Sequence, residues 1–520
     1  MVLGLWLRAV NAPEWATPDT TQKPATLHPW AVEADCYSQL ARVQRILNGQ
    51  GLIQNHFTVE NWPEGLIPST TAPFDYAILL LWAPLRLLTV HPLDWAGALI
   101  SPALWLALVV FWTIFRSREF TPAGRALLLF GLAVLPALVW ATAFGRPRHQ
   151  SLILLLMAIA LTAEYERWQI ELTPKRAWNL IAGIAWGLCC WTSLFEPLLA
   201  SALVIVFNLA VRRRENPAFL LSFGTVMLVA LLLEGVHIFI PPPEFEQPLL
   251  NWLATIAEVQ PLGFAGLIHH LTFIALFLPF LAWFIWPREN GNKTDALLVL
   301  LTLVLCVLAA VQTRWIYYAS LAELFLLVRW FQLRPAHWSR VVILFVFVIG
   351  VADGDLEQVA GRALAPPNQP SLQLMQISRS IDGDGGIMAP WWLSPGLLYF
   401  SGKPIVSGSS HCGISGIVAS AQFFASPSWK DAEKILRDRQ VRWIVAWDDQ
   451  TVYNGRQYVY PLLNSSRQIL GEPPYGDNDT AVAEATVTQV LTEDRDVPRW
   501  LHLRGVTPQL KLYEYVPSDR

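Results

Sequence analysis

Charge is scarce in this chain. Of 520 residues 15% are charged and 54% hydrophobic, and the net charge is -3. No block of basic residues occurs, so nothing favours a nucleic-acid partner. Five cysteines do not make a disulfide framework. Cys189, Cys190 and Cys306 lie in apolar stretches and read as buried small hydrophobes, and Cys36 and Cys412 read as free thiols. The opening Met1-Val-Leu-Gly-Leu-Trp-Leu7, followed by Arg8, lacks the basic start and cleavage site of a signal peptide. It is also too short to span a bilayer, and reads as a half-helix or a first helix shortened by start-site choice. Internal repeats and long low-complexity tracts are missing as well.

What is present is apolar sequence in long pieces. From about residue 93 to 352, apolar runs, most of them roughly 16–24 residues, recur between short polar breaks, and runs of that length can cross a ~30 Å hydrocarbon layer as helices. The runs fall at about 93–115, 125–144, 150–165, 177–193, 196–211, 217–239, 264–286, 296–312, 315–332 and 340–352. Residues 76–85 are apolar but short and interrupted by Pro84, which suits an interfacial or re-entrant helix. Many of the 25 tryptophans, among them Trp95, Trp140 and Trp286, sit near proposed helix ends, where either an interfacial belt or ordinary packing accounts for them.

One set of breaks is basic: Arg116 to Arg125, Arg167 to Arg176, Arg212 to Arg214, Arg288 with Lys293, and Arg329 to Arg340. The alternate set carries only Arg146, Arg148 and Arg314. Basic loops stay on the cytoplasmic side, so the long loop 12–92, residues 145–150, 240–262 and 313–314, and everything after 352 are expected on the outer face. Residues 353–520 open with a Gly/Pro/Asp-rich linker. Strand-like runs come next at 387–390, 404–407, 442–446 and 511–515, with a helical pattern over 428–437, which predicts a small α/β domain. The expected architecture is a polytopic α-helical membrane domain over 1–352, with about ten or eleven transmembrane helices, followed by a small soluble α/β domain over 353–520.

The outer-face segments hold the conspicuous polar residues. Asp35 lies with Tyr37 in Glu33-Ala-Asp-Cys-Tyr-Ser, where on composition alone it is an ordinary helix N-cap. Gly145-Arg-Pro-Arg-His-Gln150 opens a helix, Thr255-Ile-Ala-Glu258 lies in the loop without basic residues, and Arg314-Trp315 stands at a helix end. Trp391-Trp392-Leu-Ser-Pro-Gly396 and Gly408-Ser-Ser-His411 lie in the C-terminal domain.

In order and spacing these segments resemble the catalytic subunits of oligosaccharyltransferases, membrane enzymes of the GT-C glycosyltransferase superfamily. That family has an Asp-x-Tyr loop near the start and a second acidic motif, often Asp-His-His. Later come a Thr-Ile-x-Glu motif, an Arg-Phe or Arg-Trp pair and a Trp-Trp-Asp-Tyr-Gly motif. The matches are Asp35 with Tyr37, Arg148-His149-Gln150, Thr255 to Glu258, Arg314-Trp315 and Trp391-Trp392. Leu398 to His411 is similar to the family's stretch beyond its tryptophan motif. The resemblance covers nearly the whole chain, which looks about two helices shorter than the family.

The resemblance implies transfer of a glycan from a polyprenyl-(pyro)phosphate lipid to a protein or other envelope acceptor at the outer face of a bacterial-type inner membrane. It implies Asp35 and Glu258 as catalytic carboxylates; Arg314, Arg148 and Tyr37 on the donor phosphates; and Trp391, Trp392 and His411 at the acceptor. A divalent Mg or Mn ion on Asp35, Glu258 and Gln150 is implied in the same way. Two departures bear on this. Arg148 and Gln150 stand where the second acidic motif has its metal ligands, which suggests that Arg148 partly substitutes for the cation. Leu393 stands where the tryptophan motif has its Asp, which in the family recognises the hydroxyl of an Asn-x-Ser/Thr acceptor. A site that loses a hydrogen-bonding group for a hydroxyl loses discrimination for it, so a lipid or polysaccharide acceptor is a second reading, and a non-catalytic sugar-lipid-binding relative a third.

Overall fold

The computed structural model describes residues 1–10, 16–19, 26–31, 33–68, 71–115, 120–168, 175–211, 216–236, 239–286, 293–333, 337–363, 369–447, 452–453, 456–457, 461–474, 486–494 and 496–517. They belong to two compact units. The first takes Met1–Pro29, Thr70–Gly235 and Ala257–Pro367, and the second takes Trp30–Ser69, Val236–Ile256 and Asn368–Arg520. Part of the expected outer loop 12–92 therefore belongs with the C-terminal residues.

The first unit is helical apart from the antiparallel pair of strands Ala16–Asp19 and Thr26–Pro29. Pro92–Phe115, Pro217–Glu234 and Lys293–Val311 are each long and apolar enough to cross a membrane. Its core is a continuous apolar cluster in which Trp105, Trp112, Trp186, Trp315 and Trp330 are fully buried. Pro217–Glu234 instead turns Leu220, Leu221, Leu228 and Leu232 outward, each more than half exposed. A row of bare leucines is costly in water and neutral against hydrocarbon, which is how a lipid-facing helix differs from one in a soluble protein.

Three expected spans differ in detail. The run 125–144 is two helices, Pro122–Val134 and Pro136–Ala141, because Pro136 offers no N–H to continue the ladder. The carbonyls near the break are taken up by Arg8 of the Val2–Ala9 helix. Its guanidinium donates to the carbonyls of Leu132 (3.2 Å), Ala133 (3.0 Å) and Leu138 (3.4 Å) and to the Thr142 hydroxyl (2.7 Å), over the Trp105 ring. The run 264–286 is a bent pair, Phe264–Leu271 and Phe273–Ile285, at 105°. The chain turns at Thr272, with φ 62°, and Gly350 lets the neighbouring helix come close, since a Cβ there would lie 2.7 Å from that of Thr272. The last run does not stop at 352: the helix His337–Ala363 continues through the expected linker Asp353-Gly-Asp355. A single glycine costs a helix only about 1 kcal/mol, too little to end it.

The second unit is α/β. Its sheet has the order Gly386–Met388, Val441–Trp447, Leu510–Tyr515 and Leu501–Val506, parallel in the first pair and antiparallel in the others. The predicted helix at 428–437 is Trp429–Asp438, capped by the Ser428 hydroxyl, which accepts from Asp431 N–H. Residues 404–407, expected as a strand, make isolated bridges at Ile405 to Glu60 and Ile387. The early segment is joined by backbone pairing: Trp62 N–H donates to Ile405 O (3.0 Å) and Ile405 N–H to Val59 O (2.8 Å). Asn61 Oδ1 accepts from Gly416 N–H (2.8 Å), where any Cβ would strike Val406 O.

Candidate active site

Within the first unit, the connection from Pro136–Ala141 to the helix His149–Trp168 places two arginines. Gly145 turns the chain at φ 75° and donates to Ala98 O (3.0 Å). The Arg146 carbonyl accepts from the Ser101 hydroxyl, and the Arg148 carbonyl from the Ser151 hydroxyl (2.8 Å). With the backbone held, both guanidiniums reach Glu258. Arg146 donates to Oε1 (3.1 Å) and Arg148 to Oε2 (2.7 Å). Arg146 also donates to the Tyr317 hydroxyl (3.1 Å) and Trp140 O (3.2 Å), and lies against both rings. Arg148 also donates to Gln150 Oε1 (3.3 Å). The arginine side chains are 1% and 8% exposed, that of Glu258 25%.

Arg314 stands beside this cluster. Gln260 O, two residues beyond Glu258, accepts from both the N–H (2.9 Å) and the hydroxyl (2.8 Å) of Thr313. Arg314 Nε donates to Glu196 Oε1 (2.6 Å), and Ser193 holds the other oxygen of Glu196 (2.9 Å). Three guanidiniums and two carboxylates thus lie in a largely buried setting. Such a site favours a multivalent anion with several oxygens, above all a phosphate. The structure thus brings together Arg148, Gln150, Glu258 and Arg314, and adds Arg146, Glu196 and Tyr317.

The metal implied by the resemblance does not fit the first-unit residues. Both Glu258 oxygens and the Gln150 oxygen accept hydrogen bonds from guanidiniums. A divalent ion on them would sit against two positive charges.

Asp35, Tyr37, Trp391, Trp392 and His411 belong to the second unit. Asp35 is exposed and second in the helix Ala34–Leu47, whose N-cap is Glu33, so it is not the cap. Tyr37 is buried; its hydroxyl accepts from Ala31 N–H (3.3 Å) and donates to the Ser371 hydroxyl (3.0 Å), while its ring packs on Tyr399 and Phe400. Trp391 meets Trp252 and Trp392 edge to face, and the indole N–H groups of all three have no partner among the described residues. His411 lies edge-on to Phe239, and Leu393 is buried.

Glu60 gives no signal in the sequence, where a lone Glu in a polar loop carries no pattern. It is 2% exposed, and its Oε1 would be 1.9 Å from a Cβ at Gly408, so only glycine fits there. Burial pushes its carboxyl up to about 7, with nearby Asp35 adding to the rise; the Ser410 backbone, Arg42 and the Ser38 hydroxyl act against it. The folded state therefore holds a proton on Glu60 that the unfolded chain has released. The stability this contributes is full below about pH 4.5 and is lost as pH rises through about 7. Glu60→Gln is expected to flatten the pH dependence of unfolding of the full chain between those values, and an unchanged slope would contradict the assignment.

No family model matches the chain, and no curated protein matches it by sequence. Solved structures do. The oligosaccharyltransferase AglB of Archaeoglobus fulgidus, with an inhibitory peptide and a dolichol-phosphate, matches at TM-score 0.61 and 14% identity over 86% of this chain and 68% of its own. ArnT of Cupriavidus metallidurans, bound to undecaprenyl phosphate, matches at 0.58 and 11% over 99% and 97%. The mycobacterial arabinofuranosyltransferase AftD matches at 0.53 and 14% over 100% and 40%. Identities this low establish the fold and nothing finer: the chain has the fold of the GT-C membrane glycosyltransferases.

Proposed function

We propose that this protein is a GT-C glycosyltransferase, with about ten or eleven membrane spans, that moves a glycan from a polyprenyl-(pyro)phosphate lipid to an envelope acceptor on the outer side of the membrane. The observation that carries the reading is the buried pair Arg146 and Arg148 sharing Glu258, with Arg314 beside it. In an inverting displacement the acceptor attacks the anomeric carbon and the sugar–phosphate bond breaks. The leaving phosphate keeps the electron pair. Guanidiniums in a low-dielectric site offset that charge, and Arg148 and Arg314 are assigned to the donor phosphates, with Arg146 added. The acceptor's proton leaves to solvent as the new bond forms. Structural likeness to proteins solved with dolichol-phosphate and undecaprenyl phosphate supports a polyprenyl-phosphate donor.

On the acceptor side, Trp391 and Trp392 offer indole N–H donors, but Leu393 is apolar and buried. It cannot accept from a serine or threonine hydroxyl. The test is transfer by the purified chain in lipid nanodiscs, from a polyprenyl-pyrophosphate glycan to peptides carrying Asn-x-Thr or Asn-x-Ala. Equal labelling is expected, and a strict need for threonine would refute the reading of Leu393. Mass spectrometry of envelope glycans with and without the protein finds a lipid or polysaccharide acceptor if peptides are not used. No product in either assay would sink the transferase.

A further inference from the structure

A second polar cluster lies in the first unit, built from residues that the transfer reading does not use. His28 stands on the strand Thr26–Pro29, and its Nε2 is 3.6 Å from Asp94 Oδ1. His91 directly precedes the helix Pro92–Phe115, and its Nδ1 is 4.0 Å from Asp94 Oδ2. The two imidazoles lie with ring centroids 4.3 Å apart, and one ligand atom from each of the three residues falls within 4.8 Å of the others. The side chains of His28, His91 and Asp94 are 8%, 15% and 14% exposed.

We infer that His28, His91 and Asp94 hold a transition-metal ion, of which zinc is the best fit. The spacing is the first reason. The two nitrogen–oxygen separations are longer than a good hydrogen bond. Two ligands at about 2.1 Å from one tetrahedral ion stand about 3.4 Å apart, so a small contraction of the cluster closes it around a metal. Ligand chemistry is the second. Two imidazoles and a carboxylate suit zinc, cobalt or nickel, whereas magnesium and calcium want oxygen alone. Burial is the third, since two histidines and an aspartate largely removed from water gain from a shared cation.

Local structure favours the same geometry. Pro92 starts the helix and sets its direction, so that Asp94 in the first turn and His91 just before it point to one side. The strand opposite brings His28, paired in register with Thr17. An ion there ties Thr26–Pro29 to the start of a spanning helix, just before the chain passes into the second unit at Trp30. Its role is structural and stands independently of the transfer reading.

The test uses the full chain without an affinity tag, in nanodiscs, stripped with a chelator and dialysed against zinc. Elemental analysis is expected to find one zinc per chain, and zinc is expected to raise the unfolding temperature. The double variant H28Q/H91Q should bind zinc at least about tenfold more weakly and lose the thermal response. Failure of the wild type to retain zinc, or equal affinity in the variant, would overturn the site. A thermal response to pH but not to zinc would also overturn it, leaving a histidinium–carboxylate pair. Should the variant fail to fold, X-ray absorption of zinc on the wild type decides: two imidazole ligands support the site and none refutes it.

Discussion

Arg148→Met is expected to lower glycan transfer by about 10²–10³-fold, the loss seen when one preorganised donor to a developing charge is removed. The side chain is nearly buried, so water screens little of its attraction for a neighbouring oxyanion. Arg148→Lys should recover part of the activity, because a point charge remains while the planar fork is lost. Transfer without added magnesium or manganese, in the presence of EDTA, should stay within about threefold of the control, since guanidiniums occupy the place of the metal. Activity abolished by EDTA and restored by magnesium or manganese would refute that role for Arg148. A loss restored by zinc alone belongs to the cluster of His28, His91 and Asp94.

Glu258→Ala probes the same cluster from the opposite side. It leaves Arg146 and Arg148, 1% and 8% exposed, without their shared counter-charge. Removing one partner of a buried ion pair costs about 3–5 kcal/mol, read as a lower unfolding temperature of the variant in nanodiscs. A polyprenyl phosphate supplies the missing negative charge, so it should stabilise the variant more than the wild type. A lipid that stabilises neither protein would mean that the arginines do not meet the donor. A protein with no catalytic role would lose stability and show no transfer to begin with, which separates it from the enzyme.

These expectations rest on residues of unequal visibility in the sequence. Arg148, Glu258 and Arg314 stand out as charges in the sparsely charged outer-face breaks and by their place in the motifs of the resemblance. Their partners are harder to see. Arg146 lies two residues from Arg148, and in the sequence it is only an exception to a charge pattern. Nothing in the sequence singles out Glu196 as the partner of Arg314. Tyr37 shares the motif with Asp35, yet its hydroxyl is taken by Ala31 and Ser371, whereas Asp35 is exposed. Sequence adjacency in a helix does not say which side chain turns inward.

From composition and period alone came the stretches that become apolar helices and the α/β character of the C-terminal residues, because burial of apolar surface imposes a repeat on the chain itself. Folding in three dimensions settled the rest. It broke two runs, at Pro136 and Thr272, and carried the last helix past residue 352. It joined Trp30–Ser69 to the C-terminal residues, and it gave both oxygens of Glu258 to arginines more than a hundred positions away. Pairings of that kind depend on which distant surfaces meet, and a one-dimensional pattern of hydrophobicity and charge does not contain that information.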